Sequence, residues 1–555
     1  MSRLALLFLL SMSAPAHAAF LHLCPAASAP GGALSAKALG PGGKELRFVV
    51  TGAATLPGCR SLDLGAAQVE ALHVLGPTAT PTTTILLQGD DKDGRFAVSE
   101  QTLVPDGGGN EPAAPEPMPL RTNLLAAMQV RPYGVEERVQ ARLDRGRLRI
   151  DCRAGARPAG VLLTGPWTIP RLRASLKATY SGKGRFAWQA ADAAQAARES
   201  ALGMGQISAG AGTASLLLPA GLDRTNWRHF ALACPAAGGT LALDALTLEP
   251  DVPVVAPRST WIWDRSAWLE RGDELLDWAV RERLGELFIV VQLEEGRVKD
   301  PDALAAFVRH ARRRGIGISA VEGDPHMVLP LERAATAARA RAYAAYNAAA
   351  EPAARLRGIQ FDIEPYLLPE HVLPAARLDG EYVATLAALR EAAGDMPLEF
   401  VVPFWWGGRQ EVLDALARHA DAVSVMDYRT DPGQILRFAV PFLDWGATNG
   451  KRVRIALEAG PLPLETQRRY LRTQDGGAGD MLLFTVEDQQ VLVLLRQPMA
   501  HPRAAPYRLV DTRRIDGSAT TFHKDKDALR ALLPRLEADF GAWPGFAGIA
   551  LHEIR

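Results

Sequence analysis

The chain has 555 residues, with 62 Lys plus Arg against 62 Asp plus Glu and a formal net charge of +0. At about 150 residues per domain this length implies three or four units rather than one core. The even charge balance excludes the basic face that a nucleic acid or anionic membrane needs, and 48% hydrophobic with 22% charged residues excludes a disordered chain.

Residues 1–18 read as an export signal, with Arg3, an apolar run from Leu4 to Leu10, and Ala16-His17-Ala18 as a small-residue cleavage site. That run is too short for an anchored span, and no later stretch of about 18 apolar residues follows. A periplasmic or secreted location with no membrane span is expected. The four cysteines are Cys24, Cys59, Cys152 and Cys234. An exported chain permits disulfides, and chain order favours Cys24–Cys59 and Cys152–Cys234; no close Cys-x-x-Cys spacing points to zinc.

Residues 19–130 are rich in Gly, Pro and Thr with short apolar alternations, which predicts a β module ending in a Pro/Gly-rich stretch from Pro105 to Pro119. Residues 131–252 carry regularly spaced short alternating runs, the pattern of a β-sandwich or jelly roll. From 258 to 555 the grammar changes. Strand-like runs at Thr260–Trp263, Leu287–Leu293, Ile316–Glu322, Gly358–Pro365, Leu398–Trp406, Ala422–Tyr428, Val453–Gly460 and Gly548–Ile554 alternate with helical runs such as Asp302–Arg314, Leu331–Ala349, Ala376–Ala393 and Gln410–His419. Eight β–α steps over about 300 residues predict a (β/α)8 TIM barrel as the catalytic domain. The rival doubly wound sheet lacks its Gly-rich turn after the first strand. Extra runs at Met481–Val486, Val491–Leu495 and Tyr507–Val510, before a helix from Asp527 to Asp539, predict a small β insertion between strands 7 and 8, over one side of the barrel mouth.

In such barrels the reacting groups stand at the C-terminal strand ends. On the fourth strand Ile359, Phe361 and Ile363 share one face, and Gln360, Asp362 and Glu364 the other. Acids two residues apart lie about 7 Å apart and lean the same way, which suits Glu364 as general acid with Asp362 beside it. Gln360 and the residues at other strand ends, Trp263, Trp405, Trp406, Glu322, Gln292, Glu458 and His552, are expected as sugar-stacking or polar lining; alternation sends one of Trp405 and Trp406 outward. A partial calcium-loop pattern places Asp91, Asp93 and Glu100 in register, but Gly89 holds its first position, and an Asp-Gly hairpin turn is the simpler reading. No cofactor is called for.

The Arg357–Glu364 segment resembles the Asp-x-x-Asp-x-Asp-x-Glu motif of family 18 glycoside hydrolases, the chitinases and endo-β-N-acetylglucosaminidases. Asp362, Glu364 and Gly358 match, whereas Arg357 and Gln360 replace the two earlier acids. Met426-Asp427-Tyr428 resembles the family's Met-x-Tyr-Asp on the sixth strand, with Arg429 in place of the last Asp. The resemblance implies hydrolysis of a polysaccharide or oligosaccharide containing N-acetylated amino sugar. Glu364 would protonate the glycosidic oxygen, while Asp362 and Tyr428 hold the acetamido group that attacks the sugar carbon. Two other readings stand beside it: a retaining glycosidase with Glu364 and Glu458 as its carboxyl pair, and a non-catalytic glycan-binding or envelope protein that uses the barrel as a scaffold.

Overall fold

The computed structural model describes residues 116–191, 202–218, 229–251, 253–368, 372–474, 476–487 and 489–555, together with 19–25, 34–39, 45–46, 48–50, 59–65, 67–75, 84–92, 95–98 and 104–105. The export-signal segment lies outside these residues. The chain forms two compact units, one from 1–110, 365–378 and 462–517, the other from 111–364, 379–461 and 518–555.

The first unit corrects the expectation for the insertion. Its strands Glu465–Arg472, Gly479–Val486, Gln489–Met499 and Ala504–Ile515 do not form a separate module but lie in one sheet with N-terminal strands. Val69–Leu75 pairs with Gln489–Met499, and Thr84–Lys92 with Glu465–Arg472. The central stretches Met481–Phe484 and Val491–Leu494 are buried on both faces. Leu482, Phe484, Val491 and Val493 pack with Leu21, Leu23, Leu62 and Leu72 on one side. The alternate residues Met481, Leu483, Leu492 and Leu494 pack with Ile85, Leu87, Tyr470 and Tyr507 on the other. Cys24–Cys59 is a disulfide of this unit. Asp91 sits on a hairpin strand opposite Phe96, while Asp93 and Glu100 of the calcium pattern lie outside the described residues.

In the second unit, two five-stranded antiparallel sheets run over 129–250. Their strands alternate buried and exposed residues, as in Arg147–Cys152 with Leu148, Ile150 and Cys152 inside. Trp188, Phe230 and Leu232 are also buried. The Cys152–Cys234 disulfide joins a strand of one sheet to the end of a strand in the other. Asp444 fixes the sandwich to the barrel by accepting from the Arg171 backbone N–H at 2.6 Å and the Trp543 indole at 2.7 Å.

Eight parallel strands close the barrel: β1 (Arg258–Ile262), β2 (Leu284–Val290), β3 (Gly317–Glu322), β4 (Ile359–Phe361), β5 (Leu398–Pro403), β6 (Ala422–Met426), β7 (Arg452–Glu458) and β8 (Phe546–His552). The connecting helices are α1 (Gly272–Arg281), α2 (Pro301–Arg313), α3 (Arg333–Ala349), α4 (Ala375–Ala393), α5 (Gln410–His419), α6 (Pro432–Asn449) and α7 (Lys526–Phe540). Local chemistry sets their bounds. The Asp431 side chain caps α6 by accepting from the Gln434 N–H, Pro432 takes the first turn, and Gly450 ends it at φ 65°. Helix α5 buries Val412, Leu413, Ala415 and Leu416 on one stripe, with Glu411 in its first turn and Arg418 and His419 in its last.

Strands β3 and β5 are buried along their whole length, as expected of parallel strands covered by helices outside and filled inside. The filling here is polar. Arg454 on β7 donates to Glu399 Oε1 of β5 at 3.1 Å, to Glu286 Oε2 of β2 at 2.9 Å and to Ser259 Oγ of β1 at 3.1 Å. Ser319 of β3 donates to Glu286, and Ser424 of β6 to Glu399. Gln360 of β4 donates to Glu399 Oε1 at 2.8 Å and to Ser424 Oγ at 3.2 Å. Burial by itself would push Glu399 up; Arg454, Ser424 and Gln360 outweigh it and hold the carboxyl below its usual range. Replacing Arg454 with Met strands two buried carboxylates. It should cost about 3–5 kcal/mol of unfolding free energy, part of which returns when Glu286→Gln and Glu399→Gln are added; urea unfolding midpoints check this.

Candidate active site

Strand β4 is shorter than its sequence run suggests. It ends at Phe361, so Asp362 and Glu364 lie just beyond it, at the open end of the barrel. The Asp362 N–H still donates to the Glu322 carbonyl at 2.7 Å, which carries the strand spacing forward by one residue. Asp362 and Glu364 are both partly buried. Asp362 Oδ1 is sealed from solvent with no hydrogen-bond partner among the described residues. Burial, and after it the charge of Glu364, raise the Asp362 carboxyl to about 7, with His552 pulling the other way.

Three further elements meet these acids. The Tyr428 phenol, just past β6, is raised well above its ordinary value by burial and by the charges of Glu458, Asp362 and Glu364, so it stays a hydrogen-bond donor. Its ring stacks on His552 with centroids 6.1 Å apart. His552, at the end of β8, bonds through Nδ1 to Glu458 Oε2 at 2.8 Å. Burial opposes the charged ring, but the bond to Glu458 and the charges of Glu458, Glu553 and Asp362 outweigh it and hold the imidazole above its ordinary value. The Trp263 indole N–H points to His552 Nε2 at 3.4 Å. Gly323 lets this indole approach Asp362, since a Cβ there would lie 3.1 Å from the Trp263 ring and 3.4 Å from the Asp362 Cβ.

Glu458 is buried, and both of its oxygens are engaged, Oε2 by His552 and Oε1 by the Gly460 N–H at 2.6 Å. Gly460 has no room for a side chain, because a Cβ would sit 2.5 Å from Glu553 Oε2 and 2.9 Å from Glu458 Oε1. Beneath this layer, the Trp261 indole donates to Gln360 Oε1 at 2.5 Å and its ring meets His552 edge-on at 5.7 Å. Trp261 thus links the buried Arg454 network to the mouth.

Several predicted lining residues stand elsewhere. Gln360 is wholly buried, with its amide engaged by Trp261, Glu399 and Ser424, so it faces the network below the mouth. Glu322 is clasped by the Tyr343 hydroxyl and by Arg339 at 2.8 Å; burial nevertheless raises its pKa. Gln292 is exposed beyond β2. Of the tryptophan pair, Trp406 is buried against Tyr382 and Arg409, and Trp405 is 53% exposed. Arg429, where the resembling motif has Asp, lays its guanidinium over Phe404 at 4.5 Å and Phe438 at 5.5 Å.

Sequence reasoning passed over Arg454, Tyr382, Glu553 and Asp427. Asp427 is fully buried, with neither carboxyl oxygen hydrogen-bonded among the described residues, and burial drives its pKa well up. The available signal was an acid flanked by Met426 and Tyr428 in an otherwise apolar run. No group of three or more His, Cys, Asp or Glu side chains among the described residues is placed to hold a metal ion.

No protein family profile matches the chain, and no curated protein does. The family 18 resemblance therefore rests on its motifs. Among solved structures, an endo-1,4-β-D-xylanase fragment of Clostridium thermocellum complexed with xylohexaose aligns at 9% identity over 60% of this chain and 80% of that one, with a TM-score of 0.27. A family 29 carbohydrate-binding module mutant complexed with mannohexaose aligns at 12% identity over 30% of this chain and 93% of its own, with a TM-score of 0.18. Likenesses this distant assign no chemistry to the present site.

The raised Asp362 pKa means that the folded state holds this proton more tightly than the unfolded chain, whose carboxyl titrates near 3.9. The fold therefore loses stability as the pH climbs from about 4 to about 7 and the proton leaves. Asp362→Asn removes that loss. Its melting temperature should rise relative to the parent at pH 8 and differ little at pH 4, as checked by calorimetry at both values.

Proposed function

We propose that the barrel mouth hydrolyses glycosidic bonds in a glycan containing N-acetylated amino sugar by substrate-assisted retention. The observation that carries this reading is the adjacency of Asp362 and Glu364 at the open end, with Asp362 held near neutral pH and Tyr428 beside both. Around pH 7 the Asp362 carboxyl is close to half protonated, and passing that proton to Glu364 leaves the acid and carboxylate that this chemistry uses.

Glu364 gives its proton to the glycosidic oxygen as the bond to the sugar carbon breaks. The acetamido carbonyl oxygen forms the new bond to that carbon, and positive charge develops on the acetamido group. The Asp362 carboxylate steadies this charge, and the Tyr428 hydroxyl donates to the acetamido oxygen and orients it. Water then attacks the sugar carbon, Glu364 takes its proton, and the acetamido group is released. Trp263, 39% exposed beside Asp362, offers an indole face to a sugar ring.

The rival with Glu458 as nucleophile is less well supported, because both oxygens of that carboxylate are already engaged by His552 and Gly460. A role for Glu458 in holding His552 against Tyr428 and Trp263 fits these bonds directly. The two disulfides fit a chain that works in an oxidising compartment, outside the cytosol. No helix among the described residues is long and apolar enough to cross a membrane.

Glu364→Gln should lower turnover of N-acetylated amino-sugar polymers by about 10²- to 10⁴-fold, with an unchanged melting temperature. A thiazoline mimic of the acetamido-derived intermediate should inhibit the parent. Turnover that survives Glu364→Gln removes this residue from the acid role, and indifference to the thiazoline counts against acetamido participation. In the parent, turnover should fall as the pH passes about 7, where the shared proton departs. In Asp362→Asn that fall should move to lower pH.

A further inference from the structure

Tyr382, on α4, is fully buried, with its ring edge-on to Trp406 at 4.9 Å. Its hydroxyl has no hydrogen-bond partner among the described residues, and neither does the buried Oδ1 of Asp362. The charge of Asp362 raises the proton affinity of the Tyr382 phenol, after the larger effect of burial. The two groups therefore interact electrostatically, and no direct hydrogen bond joins them. Their chemistry is complementary, since a phenol donates and an ionised carboxylate only accepts. Buried polar atoms left unpaired are costly, whereas a bond between these two relieves both.

We propose that Tyr382 is a positioning residue for Asp362, its hydroxyl donating to Oδ1 across one water or after a small turn of the carboxyl. The bond orients the carboxylate toward Glu364 and favours its ionised form. The other groups facing Asp362 do not supply such a donor to Oδ1. Glu364 raises its proton affinity, and His552 lowers it through charge while committed to Glu458. The Tyr428 phenol feels the charges of Glu458 and Glu364 as well, with its ring stacked on His552. Glu322 reaches Asp362 through its backbone carbonyl, its carboxylate being held by Tyr343 and Arg339. Gln360, the nearest amide on the same strand, is engaged by Trp261, Glu399 and Ser424.

The kinetic consequence rests on the hydrolase reading, but the primary test does not. The Asp362 carboxyl is titrated in the full chain by NMR with ¹³C-labelled aspartate, assigned by the signal lost in Asp362→Asn. Tyr382→Phe keeps the ring packed on Trp406 and removes the donor. It should move the Asp362 titration upward by about half a pH unit or more, roughly a threefold change in its ionisation constant. Site-specific 3-fluorotyrosine at position 382 is a stronger donor and should move it downward, which gives a second reading if the Phe variant folds poorly. Trp406→Phe disturbs packing alone and should leave the titration in place while lowering the melting temperature. An unchanged Asp362 titration in both Tyr382 variants overturns the proposal, and so does an equal shift in Trp406→Phe. A shift without any glycan hydrolysis sinks only the hydrolase reading.

Discussion

The barrel depends on one buried cation. Arg454 lies at the centre of a space that most barrels of this kind fill with branched aliphatic side chains, and its charge must be matched there or not buried at all. Glu286 and Glu399 match it, and Ser259, Ser319, Gln360 and Ser424 complete the shell, so seven successive strands each contribute a polar group to one network. Such a network tolerates little slippage, because moving any strand by one residue turns its polar group outward and leaves a partner unpaired. Depth in the barrel is thereby specified more tightly than apolar packing would specify it.

The mouth inherits its geometry from this layer. Gln360 is oriented by Glu399 and Ser424, Trp261 by Gln360, and the Trp261 ring supports His552 from below. His552 is then clamped by Glu458 and stacked by Tyr428. Two ionisable pairs result, with different surroundings. Glu458 and His552 form a closed bond that favours a charged imidazole. Asp362 and Glu364 have the opposite balance, in which burial and mutual repulsion retain a proton. Environments that separate proton affinities in this way mark sites of proton transfer more often than sites of mere cohesion.

Much of this was legible in the sequence. The eight β–α steps stand out because helix α5 keeps its apolar stripe from Val412 to Leu416 and the strands between helices are short apolar runs. Asp362 and Glu364 stand out because Ile359, Phe361 and Ile363 alternate with polar residues, a signal that survives even though β4 itself stops at Phe361. Arg454 was illegible for the converse reason. In a strand buried on both faces, such as β7, alternation carries no information about inside and outside. Its partners Glu286 and Glu399 are far away in the chain, and no local pattern joins them. Trp406 and Gln360 were assigned to the sugar site from position alone, whereas Tyr382 and the amide partners of Gln360 draw them into the protein. The same blindness to long-range pairing made the strands between β7 and β8 look like a small local insertion, where they join a sheet with N-terminal strands.

That misread sheet bears on how the chain reaches its native state. Val69–Leu75 and Thr84–Lys92 each pair on one side with a nearby N-terminal strand and on the other with a strand near the far end of the polypeptide, and the Glu70–Arg468 ion pair within the sheet spans 398 residues. During vectorial synthesis or translocation these early strands emerge long before the partners that cover them. They must wait as apolar, hydrogen-bond-hungry ribbons through the emergence of the whole sandwich and seven barrel strands. Loop closure on that scale is slow, and exposed strand edges recruit other chains. The first unit therefore stays incomplete until strands as late as Ala504–Ile515 have emerged, and its early strands are the segment for which a holding chaperone would matter most.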